Sequence, residues 1–235
     1  MDGEKFPYRK EIKYEISLQK ALLIEKRLTG LLARDAYCGD DYYSVQSLYF
    51  DSVNNADFAE KLAGIHDRKK IRIRTYNRDT SLCKLEIKEK HGDLQYKQNF
   101  IISPIDVKEI SHGNYSVLKK YFDRTETSVK TYSIMESGHY RPVVLIEYDR
   151  TAYQFPMYNT RITLDKNIRS SETNLDILTC NGLYAPVMEQ DVVLEIKYSD
   201  KLMGFISDVL VQFDLTQGSY SKYCAGRRIY YDFNY

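Results

Sequence analysis

The sequence predicts an α+β fold, a soluble antiparallel β-barrel with amphipathic helices laid against its outer face. The first observation behind this is repeated alternation of charged with bulky apolar residues, because a period of two puts the two kinds of side chain on opposite faces of a strand. The second is a set of turn signals between successive strands, and the third is a pair of stretches with helically spaced apolar residues. Composition agrees: 22 of the 235 residues are tyrosine and none is tryptophan, and an aromatic ring packs well on a pleated surface with its hydroxyl near water.

The elements follow in order. Residues 9–16 alternate Glu11, Lys13 and Glu15 with Ile12, Tyr14 and Ile16. Ser17 then stands as the N-cap of a helix over 18–33, since its hydroxyl can accept from a first-turn N–H. A strand is expected at 43–51 and a short helix at 54–63. Residues 70–76 set Lys70, Arg72 and Arg74 against Ile71 and Ile73, and residues 84–88 set Lys84, Glu86 and Lys88 against Leu85 and Ile87. Turns at Asn77–Ser81 and at His91-Gly92-Asp93 join these to each other and to a strand at 94–102, which makes antiparallel hairpins. Helices are expected at 105–111, with Pro104 just inside the start, and at 114–122.

Alternation returns at 144–149, with Glu147 and Asp149 opposite Val144, Ile146 and Tyr148, and at 161–165, with Arg161, Thr163 and Asp165 opposite Ile162 and Leu164. Segment 169–190 is polar and irregular. The last strand, 193–198, sets Glu195 and Lys197 against Leu194, Ile196 and Tyr198, and a helix at 201–213 carries Leu202, Phe205, Ile206, Val209 and Leu210. No repeat, low-complexity tract or linker interrupts the chain, so a single domain over 1–235 is expected.

Charge narrows the function. With 34 Lys and Arg against 33 Asp and Glu, net charge is +1, so no global field draws the chain to nucleic acid or an acidic membrane, and a polyanion site must be local. Cys38, Cys83, Cys180 and Cys224 form no C-x-x-C pair, which argues for reduced thiols and a cytoplasmic protein. The N-terminal stretch lacks a signal peptide's apolar segment, and the longest apolar run, Val143 to Ile146, is too short to span a bilayer. His66, His91, His112 and His139 are scattered and read as turn or surface residues. There is no G-x-x-x-x-G-K-[ST], G-x-G-x-x-G or G-x-S-x-G, so the common nucleotide folds and hydrolase triads lack support.

A polar strand face ordinarily means that one side of an antiparallel sheet meets water. Here the faces mix Arg and Lys with Glu strand after strand, where a merely solvated face could equally use Thr, Ser, Gln or Asn. Closed with its apolar side outward, the sheet would line a tunnel with these charges, and buried cations there need carboxylates, metal ions or a polyanion to compensate them. A chain of phosphates meets that need. Arg72 and Arg74 lie about 6–7 Å apart at strand rise, spaced to clamp neighbouring phosphates. Glu195, with Glu11, Glu86 or Glu147, offers oxygen ligands to a hard divalent cation; salt-bridging the lysines is their ordinary role.

These residues resemble the VTC-type polyphosphate polymerase domain of the triphosphate tunnel metalloenzyme superfamily. The resemblance runs through R-K-E-I-K-Y at 9–14, S-L-Y-F-D-S at 47–52, R-K-K-I-R-I-R-T-Y at 68–76, L-E-I-K-E-K at 85–90, Y-D-R-T-A-Y at 148–153, T-R-I-T-L-D at 160–165, V-L-E-I-K-Y at 193–198 and S-Y-S-K-Y at 219–223. It implies a closed eight-stranded antiparallel tunnel and transfer of the ATP γ-phosphoryl group to a growing polyphosphate chain, with Mn2+ or Mg2+. By the same resemblance Lys13, Arg72, Arg74, Lys88, Arg150 and Arg161 form the catalytic phosphate site. Lys84, Lys97, Lys197, Ser221 and Lys222 hold the polyphosphate substrate or product, and Glu195 with Glu11 holds the metal. Compared with larger eukaryotic members, no inositol-phosphate-sensing domain or transmembrane helix is expected, and a separate membrane protein is the expected partner for the product. Hydrolysis of triphosphate in the same tunnel, and a non-catalytic polyphosphate-binding module, are the alternatives.

Overall fold

A computed structural model describes residues 9–39, 41–92, 94–179, 182–188 and 191–231; Asp93 and Cys180 lie outside the described residues. In chain order the elements are β1 (Arg9–Ser17), α1 (Leu18–Thr29), β2 (Ala33–Arg34), β3 (Tyr43–Asp51), α2 (Ala56–Leu62), β4 (Arg68–Tyr76), β5 (Asp79–His91) and β6 (Leu94–Ile102). Then come α3 (Pro104–Ser111), α4 (Glu126–Ser137), β7 (Arg141–Phe155), β8 (Thr160–Ser171), β9 (Ala185–Pro186), β10 (Asp191–Ser199), α5 (Gly204–Val211), β11 (Gln217–Gly218) and α6 (Lys222–Tyr231).

The fold is α+β with an antiparallel sheet. Among the described residues its eleven strands follow the hydrogen-bonded order β11-β1-β10-β8-β7-β3-β4-β5-β6, with β2 on β7 and β9 on β8. Only β2, β9 and β11 are two-residue strands, and the other eight have nine residues or more. The closed eight-stranded ladder expected from the sequence is therefore corrected in one respect: among the described residues β11 and β6 end the order and do not pair. The free edge of β1 is taken at Lys13 and Tyr14 by the short β11, and the outer strand β6 is largely exposed and carries Lys97, features that blunt an edge.

The chain divides into two compact units, the first taking the described residues of 1–44, 148–168 and 186–221, and the second those of 45–147, 169–185 and 222–235. In the first unit, Ile12, Ile196 and Ile162 stand side by side across β1, β10 and β8, as do Tyr14, Leu194 and Leu164. Helices α1 and α5 cover this face with Ala21, Ile24, Leu28, Ile206, Val209 and Leu210. Ser17 Oγ accepts the N–H of Lys20 as the sequence leads one to expect, but α1 stops at Thr29 with Gly30 as its cap. Ala33 and Arg34 pair instead with Gln154 and Tyr153.

In the second unit β3, β4, β5 and β6 form a meander, with Leu48, Ile73, Leu85 and Phe100 in one row and Phe50, Ile71 and Ile87 in the next. Val107 and Ile110 of α3, Leu118 of the segment between α3 and α4, and Met135 of α4 close over them. A Leu85→Ala cavity in such a row costs about 2–5 kcal/mol. Asn77 and Arg78, both left-handed with φ of 51° and 56°, make the β4–β5 turn, the backbone a two-residue primed hairpin requires. The 114–122 stretch is a 3₁₀ helix over Tyr115–Tyr121, not an α-helix. Two helices have no counterpart in the sequence reading. The buried face of α4 is Thr127, Ser128, Thr131 and Met135, with the Ser128 and Thr131 hydroxyls bonded to carbonyls one turn back, so no apolar stripe announces it. In α6 the buried side chains are those of Tyr223, Cys224 and Arg227, and the buried Gly226 sits where an added Cβ would come 3.1 Å from the Ser170 Cβ.

Candidate functional site: two charged strand faces

The polar face of the second unit is set by strand register. Ser47, Arg74, Lys84 and Ile101 form one row across β3 to β6; Tyr49, Arg72, Glu86 and Asn99 form the next; Lys70, Lys88 and Lys97 form the third. All have the parity opposite to the core residues, because side chains alternate along a strand. Six cations thus stand against one carboxylate in these rows.

That carboxylate is the hub. Glu86 is 1% exposed. Its Oε2 accepts from Arg72 Nε at 2.7 Å and lies 3.7 Å from Arg74 Nη1, while its Oε1 is 2.7 Å from Lys97 Nζ. Burial alone would raise its pKa, but Arg72, Arg74 and Lys97 outweigh that and hold it well below the usual carboxylate range. Lys97 moves the other way: desolvation, helped by Arg72 and Arg74, overcomes the attraction of Glu86 and brings it down to about 8. Arg74 Nε donates to Ser47 Oγ at 3.0 Å, and Lys84 Nζ lies 5.3 Å above the Tyr76 ring. Lys222 opens α6 directly after Ser221, and the next residue, Tyr223, donates its hydroxyl to Asp51. Asp51 in turn accepts the N–H groups of Ser52, Asp57 and Phe58, which caps α2.

The face of the first unit is balanced rather than cationic. Glu11, Lys197 and Arg161 form one row across β1, β10 and β8, and Lys13, Glu195 and Thr163 the next. Lys13 Nζ is 2.9 Å from Glu11, and Lys197 Nζ is 2.5 Å from Glu195 and 3.8 Å from Glu11. Arg161 donates to Asp35 at 2.6 Å and to Tyr43 at 3.0 Å. Arg150 forks onto Asp165 through two bonds of 2.6 and 2.7 Å, the bidentate geometry a phosphate would also use.

The donor set around Glu195 fits a hard divalent cation that keeps water and phosphate among its ligands. Two carboxylates, Glu11 and Glu195, already share the ammonium of Lys197. Beside Glu195 in register lies Thr163 Oγ1, a buried oxygen without a hydrogen-bond partner among the described residues. Three acidic, His or Cys ligands do not cluster anywhere among the described residues, and Mg2+ in particular is commonly held by one or two carboxylates plus phosphate oxygens. Glu147, the other carboxylate raised from the sequence, stands apart: it is buried and binds Gln46, Arg78 and Arg169. Gln46 itself bonds Thr75, which shares the parity of the core residues Ile71 and Ile73. Tyr49, which binds Arg72, is a site-face residue the sequence reading passed over; its place beside Arg72 follows only from the β3–β4 register.

Fold and faces together define an antiparallel α+β protein that presents rows of Lys and Arg from its strands and keeps a pair of acids among them. The chain belongs to the VTC domain family, whose profile matches residues 8–231. Among solved structures, the Hippeastrum protein HpAC1, described as a candidate adenylyl cyclase with a dominant triphosphatase activity, is 14% identical with a TM-score of 0.57, over 93% of this chain and 96% of that one. A candidate adenylate cyclase from Bacillus halodurans is 15% identical with a TM-score of 0.54, over 90% and 92%. These likenesses are of fold. No curated protein matches the sequence. No helix among the described residues is long and apolar enough to cross a membrane.

Proposed function

We propose that the whole chain works as one tunnel domain, a polyphosphate polymerase that transfers the γ-phosphoryl group of ATP to the end of a polyphosphate chain. The observation that carries this is the second unit's face, where Lys70, Arg72, Arg74, Lys84, Lys88 and Lys97 stand in adjacent register rows around Glu86. Cations gathered in neighbouring rows suit a multivalent anion, and a linear phosphate chain matches the strand-rise spacing of Arg72 and Arg74. Membership of the VTC domain family supports the same substrate.

In this reading Arg72, Arg74 and Lys88 hold the transferring phosphates, and Lys84, Lys97, Ser221 and Lys222 hold the acceptor or product chain. Lys13, Arg150, Arg161 and Lys197 serve the reacting groups in the first unit. The attacking group is a phosphate oxygen already ionised at neutral pH, so no side-chain base is required. What the chain must do is align two anions and offset their repulsion, which lysine and arginine charges do. Glu195 and Glu11 would hold Mn2+ or Mg2+, which supplies further neutralisation at phosphate oxygens. ATP and inorganic polyphosphate are the ligands, and a separate membrane protein is a partner suited to carry the product from a cytoplasmic enzyme.

Hydrolysis of triphosphate is the second reading, favoured by the triphosphatase activity described for HpAC1, a protein of similar fold. Incubating the purified chain with ATP and manganese and sizing the phosphate products separates the two. Long phosphate polymers with ADP are expected; free phosphate alone would replace polymerase by hydrolase, and neither product would leave only a binding module.

A further inference from the structure

Tyr49 sits between two built layers. On one side Arg72 Nη1 donates to its hydroxyl at 2.9 Å and the Arg72 guanidinium lies 5.6 Å from its ring centroid. On the other, its ring stacks on Tyr223 at 5.1 Å with an interplanar angle of 26°. Tyr223 is pinned in turn, edge-on to Phe58 at 6.0 Å and bonded through its hydroxyl to Asp51. At 5% exposure, Tyr49 cannot swing its ring away from Arg72.

A phenol has one hydrogen to donate besides the lone pairs with which it accepts. The Tyr49 oxygen accepts from Arg72, and its own hydrogen finds no acceptor among the described residues. None of the charged neighbours is bonded to that hydrogen among the described residues. Lys70, Arg72 and Arg74 from β4 are donors only. Asp51, on the same strand, is committed to three N–H groups and to Tyr223 from α6, and Glu86 from β5 is engaged by Arg72, Arg74 and Lys97. Asp57 of α2 is bound by Tyr140 and Lys69. A buried donor aimed among cations with nothing to receive it calls for an anion from outside.

We propose that Tyr49 is a phosphate-binding residue whose hydroxyl, oriented by Arg72, donates its hydrogen to an oxygen of the phosphate that Arg72 binds. This rests on the phosphate-binding reading of the second unit's face and adds a neutral donor to its cations. The same surroundings give the group a signature in pH. Burial would raise its pKa, but Arg72, Arg74 and Lys70 outweigh it and bring it down to about 8. Below that value the phenol donates. Above it, the hydrogen is gone and a negative oxygen faces the ligand, so binding weakens as pH rises.

The test is calorimetric titration of inorganic tripolyphosphate, without metal, into the wild-type chain and Tyr49→Phe at pH 7 and pH 9. Roughly a tenfold loss of affinity in the variant is expected at pH 7, the worth of one hydrogen bond to a charged acceptor, with the difference closing by pH 9. Lys97, brought down to about 8 in the wild type, is kept in both proteins, so its own titration should cancel in their ratio. No binding by the wild type would overturn the phosphate reading itself. Binding unchanged in Tyr49→Phe at pH 7, or weakened equally at both pH values, would leave that reading standing and overturn the donor role. Fluorotyrosine at position 49, which keeps the shape and acidifies the phenol, should move the alkaline loss to lower pH; an unmoved profile also overturns it.

Discussion

Replacing Glu86 by Gln asks how the second unit's face carries its charge without a ligand. The carboxylate is buried and engaged by Arg72, Arg74 and Lys97; glutamine keeps its size and one acceptor while removing the single negative charge from those rows. Breaking a buried ion pair by deleting one partner costs about 3–5 kcal/mol. Lys97, already down to about 8 with Glu86 present, should shed its proton and relieve part of this, which puts the loss near the lower end. At about 2–4 °C per kcal/mol for a chain of this size, Tm should fall by roughly 6–12 °C. A phosphate chain should then act as the missing anion. One phosphate charge about 5 Å from one guanidinium is worth about 3 kcal/mol at an effective dielectric of about 20, so tripolyphosphate should raise the Tm of Glu86→Gln by more than it raises the wild type's. Scanning calorimetry of both proteins with and without tripolyphosphate measures both effects. A variant with wild-type Tm and a wild-type ligand shift would refute the idea that Glu86 stands in for the ligand.

Three further outcomes are expected. Arg72→Ala should weaken tripolyphosphate binding by roughly 10- to 100-fold, the worth of one or two charge-assisted bonds, read by the same titration; unchanged affinity would remove Arg72 from the site. Glu195→Gln should cut metal-dependent turnover of ATP far more than it lowers Tm, and a manganese response equal to wild type would remove Glu195 from the metal site. Asp57, desolvated in the second unit beside Asp51, has its pKa raised to about 6 even though Lys69 and Tyr140 oppose the shift. A folded-state pKa above the unfolded value favours the fold at low pH and loses that contribution as pH rises, so between about pH 4 and pH 7 this group should lower stability by up to about 3 kcal/mol. Melting curves of Asp57→Asn should lack that decline.

The strands at 9–16, 70–76, 84–88, 144–149, 161–165 and 193–198 were legible because a half-buried strand writes its two faces into alternate residues, as Arg72 and Arg74 against Ile71 and Ile73 do. The missed helices lack such writing. A helix such as α4 that buries Thr127, Ser128 and Thr131, or such as α6 that buries Tyr223 and Arg227, leaves no apolar stripe to read. Site chemistry divides in the same way. Which residue types stand on the strands is a local matter, and the cations of the second unit's face were all visible. Which partner each one takes is set by register and by segments far away in the chain. Arg161 goes to Asp35 across 126 positions, and Tyr223 to Asp51 across 172. Tyr49 shows the limit most plainly, since an aromatic residue in a strand reads as wall until the β3–β4 register sets it opposite Arg72.

The two faces hold their charge differently, and this bears on what each arginine is for. In the first unit Arg150 and Arg161 are bonded to Asp165 and Asp35 at 2.6 Å, and Lys13 and Lys197 are within 3 Å of Glu11 and Glu195. A phosphate arriving there must displace a carboxylate that is already well placed, so its net gain is the difference between two similar interactions and is small. In the second unit three cations share Glu86, and Lys70, Lys84 and Lys88 add to them. A phosphate there meets cations from three neighbouring strands at once. Affinity for a polyanion should therefore reside in the second face, with a steep dependence on salt. The first face, neutral at rest, is suited to groups whose charge grows during reaction, because only interactions that strengthen toward the transition state accelerate the chemical step.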